Sequence, residues 1–179
     1  MPVGTEGNSG GFLDAEILVY VFGLSGSSYP AAAPDAAFAI NVSEPASTRA
    51  WARIPFPPGP ARLCGGAAVV NGALFVLGGF TYGAGYGGYR DGYKLTRPAP
   101  NANLSLGWKW EPIPALPFGV SYPGVVSLQS KLYVMGGAWE EYKTVRAVPL
   151  CGAWEACKTS RAVPRCLSVW HATSGDAER

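Results

Sequence analysis

The sequence contains few charged residues, a single histidine and no long apolar run. Charged residues make up 15% of the 179 residues, whereas about a quarter is usual in globular domains. The net charge is only +2, so bulk electrostatics predicts no nucleic-acid partner. The longest strongly apolar run, residues 17–24, is far shorter than the roughly 18 residues or more that a membrane span requires. We therefore expect no membrane-spanning segment.

A secretory signal is also missing from the start of the sequence. The residues before Ile17 include three acidic side chains and no lysine or arginine, so the apolar run that follows has no positively charged start. We predict a cytoplasmic protein, in which the four cysteines are reduced thiols. The glycosylation sequons at Asn41 and Asn103 are interpreted as chance matches.

Glycine and proline are abundant, with 24 and 16 residues, which is typical of short strands joined by turns. Three segments align without a gap, starting at Gly10, Gly65 and Pro123. In each segment a small-residue start leads to an alternating apolar run that ends at glycine. A tryptophan recurs in phase, so that 59 residues separate Trp51 from Trp110. Such spacing indicates an array of similar structural units.

Each unit is predicted to form four strands, and the second unit defines them best. Its strands are predicted at 67–70, 74–77, 90–95 and from 108 onward. Asn71–Gly72 between the first two strands is a strong hairpin signal, and Gly78–Gly79 ends the second strand. A unit of this kind cannot bury both faces alone and needs stacked neighbours.

The pattern resembles the kelch repeat, in which a Gly-Gly pair after an apolar strand is followed by an aromatic residue and then by a tryptophan. The matching residues are Gly78, Gly79, Tyr93, Trp110, Gly136, Gly137 and Trp51. In the first unit Gly23–Leu24 stands in place of the pair. The resemblance implies an all-β fold, a partial kelch-type β-propeller made of four-stranded antiparallel blades, with an irregular C-terminal tail. It places the kelch-repeat segment in residues 1–137, with blades at about 10–56, 62–116 and, in part, 120–137.

Two and a half repeats are too few for a ring, because propellers close with about 4–8 blades. The sequence is interpreted as a fragment or a truncated gene model in preference to one part of a multi-chain ring. An open arc of blades has unpaired edges, through which copies of the chain could associate.

The segment 138–179 has a different character. A 15-residue stretch starting at Gly137 is followed by a near copy starting at Gly152, a period far too short for a blade. We predict that this tandem duplication and the polar end of the chain are poorly ordered.

The residue patterns give little support for a catalytic or cofactor site. We predict that the protein is not an enzyme and binds no cofactor or metal. The stretch 83–88 matches a dinucleotide fingerprint but is not followed by a helix pattern, which that motif requires. Cys64, Cys151, Cys157 and Cys166 lack the close pairs of zinc sites. His171 is the single histidine, so it cannot supply the two histidine ligands of a copper oxidase. A Ser-His-Asp triad would require this C-terminal histidine to fold back onto the blades.

The resemblance to kelch proteins implies protein binding through loops at the propeller mouth. The candidate loops are residues 25–35 and 81–93. The second loop contains Tyr82, Tyr86, Tyr89 and Arg90, and tyrosine and arginine are enriched at interaction hot spots. The alternatives are a remnant of a propeller enzyme, of an epimerase or oxidase type, and a truncated gene model without independent function. The partner is not identified by the sequence.

Overall fold

The computed structural model of the protein describes residues 5–25, 37–81, 88–97, 103–139, 143–144 and 169–170. Every regular element in these residues is a β-strand, in agreement with the all-β prediction. None of them forms a helix of the length and apolarity that crossing a membrane requires. Three antiparallel sheets, called blades 1 to 3 here, contain most of the strands.

Blade 1 is a four-stranded sheet in which the strands lie side by side in chain order. Its strands are β2 (Ser9–Phe12), β3 (Ile17–Val21), β5 (Ala37–Asn41) and β6 (Trp51–Arg53). A separate two-stranded ribbon joins β1 (Thr5–Glu6) to β4 (Leu24–Ser25). The edge at which β3 ends is called the upper edge of the blades, and the opposite edge is the lower edge.

Blade 2 repeats the same order at a distance of one unit along the chain. Its strands are β7 (Gly66–Val70), β8 (Ala73–Leu77), β9 (Gly92–Thr96) and β10 (Lys109–Ile113). The predicted hairpin turn joins β7 to β8, and both Asn71 (φ 49°) and Gly72 (φ 73°) have the positive φ of a type I′ turn. The sequence pattern therefore predicted this blade strand by strand.

Blade 3 consists of β11 (Gly124–Leu128), β12 (Lys131–Met135) and β15 (Val169–Trp170) among the described residues. The third strand comes from far along the chain, with Tyr133 paired to Val169 and Leu132 to Trp170. A further ribbon joins β13 (Ala138–Trp139) to β14 (Lys143–Thr144). The rest of the predicted tail lies outside the described residues, and the domain boundaries stay predictions.

The middle blade is buried on both faces, which explains the apolar stretch that ends at Gly78. All five residues of β8 are buried. Leu74 and Val76 pack in one cluster with Val19 and Val21 of blade 1. On the other face, the buried side chains of β8 pack with Leu132 and Val134 of blade 3. Alternate residues of the strand thus face two different neighbours, so no position needs a polar side chain.

The first strands of the blades approach one another closely at glycines. A Cβ atom on Gly11 would lie 3.2 Å from Cγ2 of Val69, and a Cβ on Gly66 would overlap Cγ2 of Val125. The buried Ser9 hydroxyl donates a hydrogen bond of 2.8 Å to the carbonyl of Gly65. Small residues at the start of each repeat therefore allow neighbouring blades to pack.

The Gly-Gly pairs have left-handed conformations that few other residues adopt. Gly78 and Gly79 have φ of 65° and 88°, and Gly136 and Gly137 have φ of 61° and 98°. In blade 1 the equivalent pair is Phe22 (φ 65°) and Gly23 (φ 106°), one residue earlier than the ungapped alignment predicted. The ring of Phe22 packs against Phe56, and this tertiary contact offsets the cost of its backbone conformation.

Replacing Gly78 by alanine should destabilise the protein more than the same change at Gly136. The two glycines occupy equivalent repeat positions with nearly the same φ, so both variants carry the left-handed cost of about 1–2 kcal/mol. A Cβ on Gly78 would also lie 2.5 Å from the carbonyl oxygen of Val120, whereas nothing lies within 4 Å of one on Gly136. We expect G78A to cost about 1–3 kcal/mol more in the free energy of unfolding, measured by urea denaturation. Equal losses would contradict the tight packing at Gly78.

Candidate functional site

Of the predicted recognition loop at 81–93, the structure describes only the two ends, residue 81 and residues 88–93. Tyr82 and Tyr86 lie outside the described residues. The ring of Tyr89 lies 4.2 Å from Cζ of Arg62, and its backbone N–H donates to the carbonyl of Gly79. The exposed Arg90 donates from Nε to the carbonyl of Leu116 at 2.9 Å. Both end residues are therefore attached to the scaffold of the upper edge.

The aromatic residues of the repeat motif connect separate parts of the fold. Tyr93 donates a hydrogen bond of 2.7 Å from its hydroxyl to Oδ2 of Asp91. Trp110 donates from Nε1 to the carbonyl of Pro55, which follows the last strand of blade 1. Trp51 contacts Tyr20 edge to face, with ring centroids 5.3 Å apart. The contacts of these three side chains are thus structural.

A buried arginine, Arg62, lies between blades 1 and 2 at the upper edge and is 1% exposed. Its guanidinium donates two hydrogen bonds to the carboxylate of Asp91, at 2.7 and 2.8 Å. The same group donates to the carbonyl of Gly78 at 3.1 Å. Its Cζ also lies 5.3 Å from the ring centroid of Phe22 on blade 1. These residues, together with Tyr89 and Tyr93, are called the Arg62 cluster.

The Arg62 cluster determines the ionisation of its carboxylate. Burial raises the pKa of Asp91, but hydrogen bonds from Arg62 and Tyr93 and the charge of Arg62 outweigh that effect and hold the pKa below its ordinary value of 3.8. Burial and the neighbouring Asp91 carboxylate both raise the pKa of the Tyr93 hydroxyl. The cluster therefore holds an ionised aspartate and a neutral tyrosine at neutral pH.

Arg62 and Asp91 were not among the residues predicted from the sequence. Two signals were present. Arg62 is the last charged residue before the buried first strand of blade 2, and Asp91 is two positions before Tyr93, a spacing that places both side chains on one side of an extended chain. Neither signal reveals that residues 29 positions apart form a bidentate pair.

A cavity of about 640 Å³ opens at the lower edge, between blades 1 and 2. It is lined by Glu16, Ile17, Asn41, Glu44, Ala50, Trp51, Ala52, Arg97, Asn103, Leu104 and Ser105. This cavity, called the lower groove, lies at the opposite edge from the loops that the sequence analysis predicted to bind a partner. Its residues come from turns of both blades, so it exists only because the blades pack together.

The lower groove has an acidic character. Arg97 forms an ion pair with Asp14, which neutralises the positive charge in its lining. Among the described residues, no basic side chain pairs with the carboxylates of Glu16 or Glu44. Asn41 and Asn103 accept hydrogen bonds at Oδ1 from the backbone of Ser43 and Ser105, at 2.9 and 2.8 Å. Within the described part of the chain, the Nδ2 group of neither amide has a hydrogen-bond partner. The groove thus combines carboxylates with amide donors.

The structure describes only part of the other chemical motifs considered in the sequence. The fingerprint at 83–88 lies outside the described residues except for Gly88, and so do Cys151, Cys157, Cys166 and His171. Cys64 is half-buried at the upper edge, where its backbone N–H donates to the carbonyl of Gly7. Within the described part of the chain, no group of three or more His, Cys, Asp or Glu side chains could hold a metal ion.

The comparison with solved structures identifies the architecture. The chain is similar to YjhT, a propeller-like protein, with a TM-score of 0.59 and 22% sequence identity over 78% of this chain. It spans 36% of the length of YjhT. No protein-family model matches the chain, and no curated protein sequence matches it. At this identity the likeness establishes the fold alone, which is that of a β-propeller module.

Substituting Asp91 by asparagine should destabilise the protein strongly, because it leaves the buried Arg62 guanidinium without its counter-ion. Asp91 is 37% exposed, so water screens part of the loss and we expect about 2 kcal/mol in the free energy of unfolding. The double variant R62M/D91N should recover part of it, since no buried charge remains. The exposed pair of Lys109 with Glu111 provides the control E111Q. A loss in D91N no larger than in E111Q would contradict this account.

The contribution of Asp91 should disappear in acid. Because its folded pKa is depressed below 3.8, the ionised carboxylate stabilises the fold fully above that value, and the contribution is lost as the pH falls through the folded pKa. The difference in unfolding free energy between the wild type and D91N should therefore be constant near neutral pH and shrink below about pH 4. Urea denaturation at several pH values measures it. A difference that stays constant into acid would argue against an ionised Asp91.

Proposed function

We propose that this chain is a kelch-type β-propeller module that binds a protein partner. The resemblance of its repeats to kelch units supports this proposal, and so does the propeller architecture. Two observations are compatible with it: Gly78–Gly79 follows the end of β8, and Trp110 of blade 2 donates a hydrogen bond to Pro55 after blade 1. We propose a binding rather than a catalytic role, and the cytoplasm stays the predicted compartment.

The lower groove is the observation that carries the proposal. A cavity of about 640 Å³ lies in the range of pockets that enclose small ligands or a few side chains. It opens to solvent between turns of two rigid blades, and binding sites commonly lie on loops that a rigid scaffold positions. The recognition loop at 81–93 of the upper edge stays a prediction as a second contact region.

The lining of the lower groove favours an extended segment with a basic side chain. Glu16 and Glu44 offer carboxylates to a lysine or arginine, and arginine binds carboxylates in a bidentate manner. The amide donors of Asn41 and Asn103 match the carbonyl groups of an extended peptide backbone. The proposed partner therefore presents a basic, extended segment.

Selection from a phage-displayed library of short random peptides tests this function. We expect the enriched peptides to contain lysine or arginine. Their affinity, measured by calorimetry, should fall at least about tenfold in E16Q/E44Q, because two charge-assisted contacts are lost. The matched control is E111Q, which removes a carboxylate from β10 outside the groove.

Two results would contradict the proposed function. One is enrichment of peptides without basic residues, and the other is equal binding to the wild type and to E16Q/E44Q. The groove carboxylates are not part of the core clusters, so we expect the thermal unfolding midpoint of E16Q/E44Q to match that of the wild type. That measurement separates lost recognition from lost folding.

A further inference from the structure

Blade 3 has an apolar sheet face that is left open among the described residues. Val126 and Leu128 are 46% and 58% exposed. Tyr133 and Met135 are opposite Val126 and Gly124 in the strand pairing, and Lys131 is opposite Leu128 at the lower end. These side chains share one side of the sheet, which is apolar except for Lys131. This set is called the open face of blade 3. The opposite side of the same strands packs on blade 2 through Leu132 and Val134.

The repeat shows what such a face does elsewhere in the chain. One repeat corresponds to 58 residues in this part of the chain. The residues of blade 2 equivalent to Val126, Leu128 and Tyr133 are therefore Ala68, Val70 and Phe75. Those residues of blade 2 are the ones that pack against the next blade, in a cluster with Leu132. The open face of blade 3 is thus the equivalent of a surface that receives a following blade.

Blade 1 has the opposite face available. Leu18 and Tyr20 correspond in strand position to Leu74 and Val76, which pack against the preceding blade. Phe12, the equivalent of Val69, is 52% exposed on the same side. Phe38 and Trp51 pack around Tyr20 on this side, and Arg53 is opposite Phe38 at its upper end. This aromatic surface is called the open face of blade 1, and it is the kind of surface that receives a preceding blade.

The first strand of blade 3 contains a glycine that no neighbouring blade covers among the described residues. A Cβ on Gly124 would meet only Met135 of the same blade. At the other blade junctions, a valine of the next blade lies against the equivalent glycine, Val69 against Gly11 and Val125 against Gly66.

We propose that a second copy of this chain covers both faces, with the open face of blade 3 of each copy packed on the open face of blade 1 of the other. The contact continues the interface already present between blades 1 and 2 and between blades 2 and 3. Contacts of different surfaces close into rings when the rotation allows it. The three blades among the described residues of each of two copies give six blades, within the range of about 4–8 at which propellers close.

Sedimentation velocity of the full chain over micromolar concentrations tests the assembly. We expect a closed dimer. The variant L128K places a charge on the aliphatic face and should weaken dimerisation at least about tenfold. F12K should do the same from the other face. Because both side chains are exposed, each variant should retain the β-sheet circular dichroism and thermal midpoint of the wild type.

The matched control is L106K, which changes a leucine that is 65% exposed and belongs to neither open face. It should dimerise like the wild type. A mixture of L128K and F12K should dimerise more strongly than either variant alone, because one of its two contacts joins an intact blade 3 face to an intact blade 1 face. This complementation distinguishes the head-to-tail contact from one between identical faces.

Several outcomes would overturn the proposal. A monomer at all concentrations means that a second copy does not cover the faces. Assemblies that grow without limit mean that the contact does not close. A dimer that L128K weakens but F12K leaves intact means that identical blade 3 faces meet. The lower groove variant E16Q/E44Q should dimerise normally, so failure of the peptide-binding proposal is separable from failure of this one.

Discussion

The pair formed by Arg62 and Asp91 is the interaction on which the upper edge of blade 2 depends. A guanidinium that is 1% exposed would be costly alone, because burial removes its hydration. The structure compensates with a bidentate carboxylate, the carbonyl of Gly78 and nearby aromatic rings. Asp91 and Gly78 belong to blade 2, whereas the ring of Phe22 belongs to blade 1, so the ion pair forms within one blade and lies beside the junction with its neighbour. A buried polar network of this kind favours one arrangement over others of similar apolar content.

The repeat explains why the chain has chemically different edges and faces. Each blade buries one face against the preceding neighbour and the other face against the following neighbour, and β8 shows the result in five buried residues. Where a neighbour is absent from the described residues, at blades 1 and 3, the same positions leave Phe12, Val126 and Leu128 exposed. The edges differ because the turns between the strands vary in length and sequence from one repeat to the next. The upper edge holds the Arg62 cluster, and the lower edge holds a groove with carboxylates.

Much of the fold could be predicted from the sequence because its signals are local. Asn71–Gly72 specifies a hairpin through backbone conformation, and Gly78–Gly79 ends β8 in a conformation that favours glycine. The apolar alternation of residues 74–77 marks a strand without reference to the rest of the chain. The end of β3 in the first unit was harder to predict, because Phe22 has the left-handed conformation that glycine has at the equivalent positions of the other units. Its packing against Phe56 is a tertiary contact that no local rule includes.

The sequence by itself determined the strand-rich class, the repeat, the turns and the residues that repeat in phase. Only the tertiary structure decided which charged residues meet, since Arg62 and Asp91 are 29 positions apart in the chain and become neighbours when the strands of blade 2 pair. It also decided where a cavity lies. Glu16 and Glu44 of blade 1 share a groove with Asn103 of blade 2, at the edge opposite to the tyrosine-rich loop. Strand formation depends on neighbouring residues, whereas the ion pair depends on how distant strands of one blade come together and the groove depends on how separate repeats are stacked.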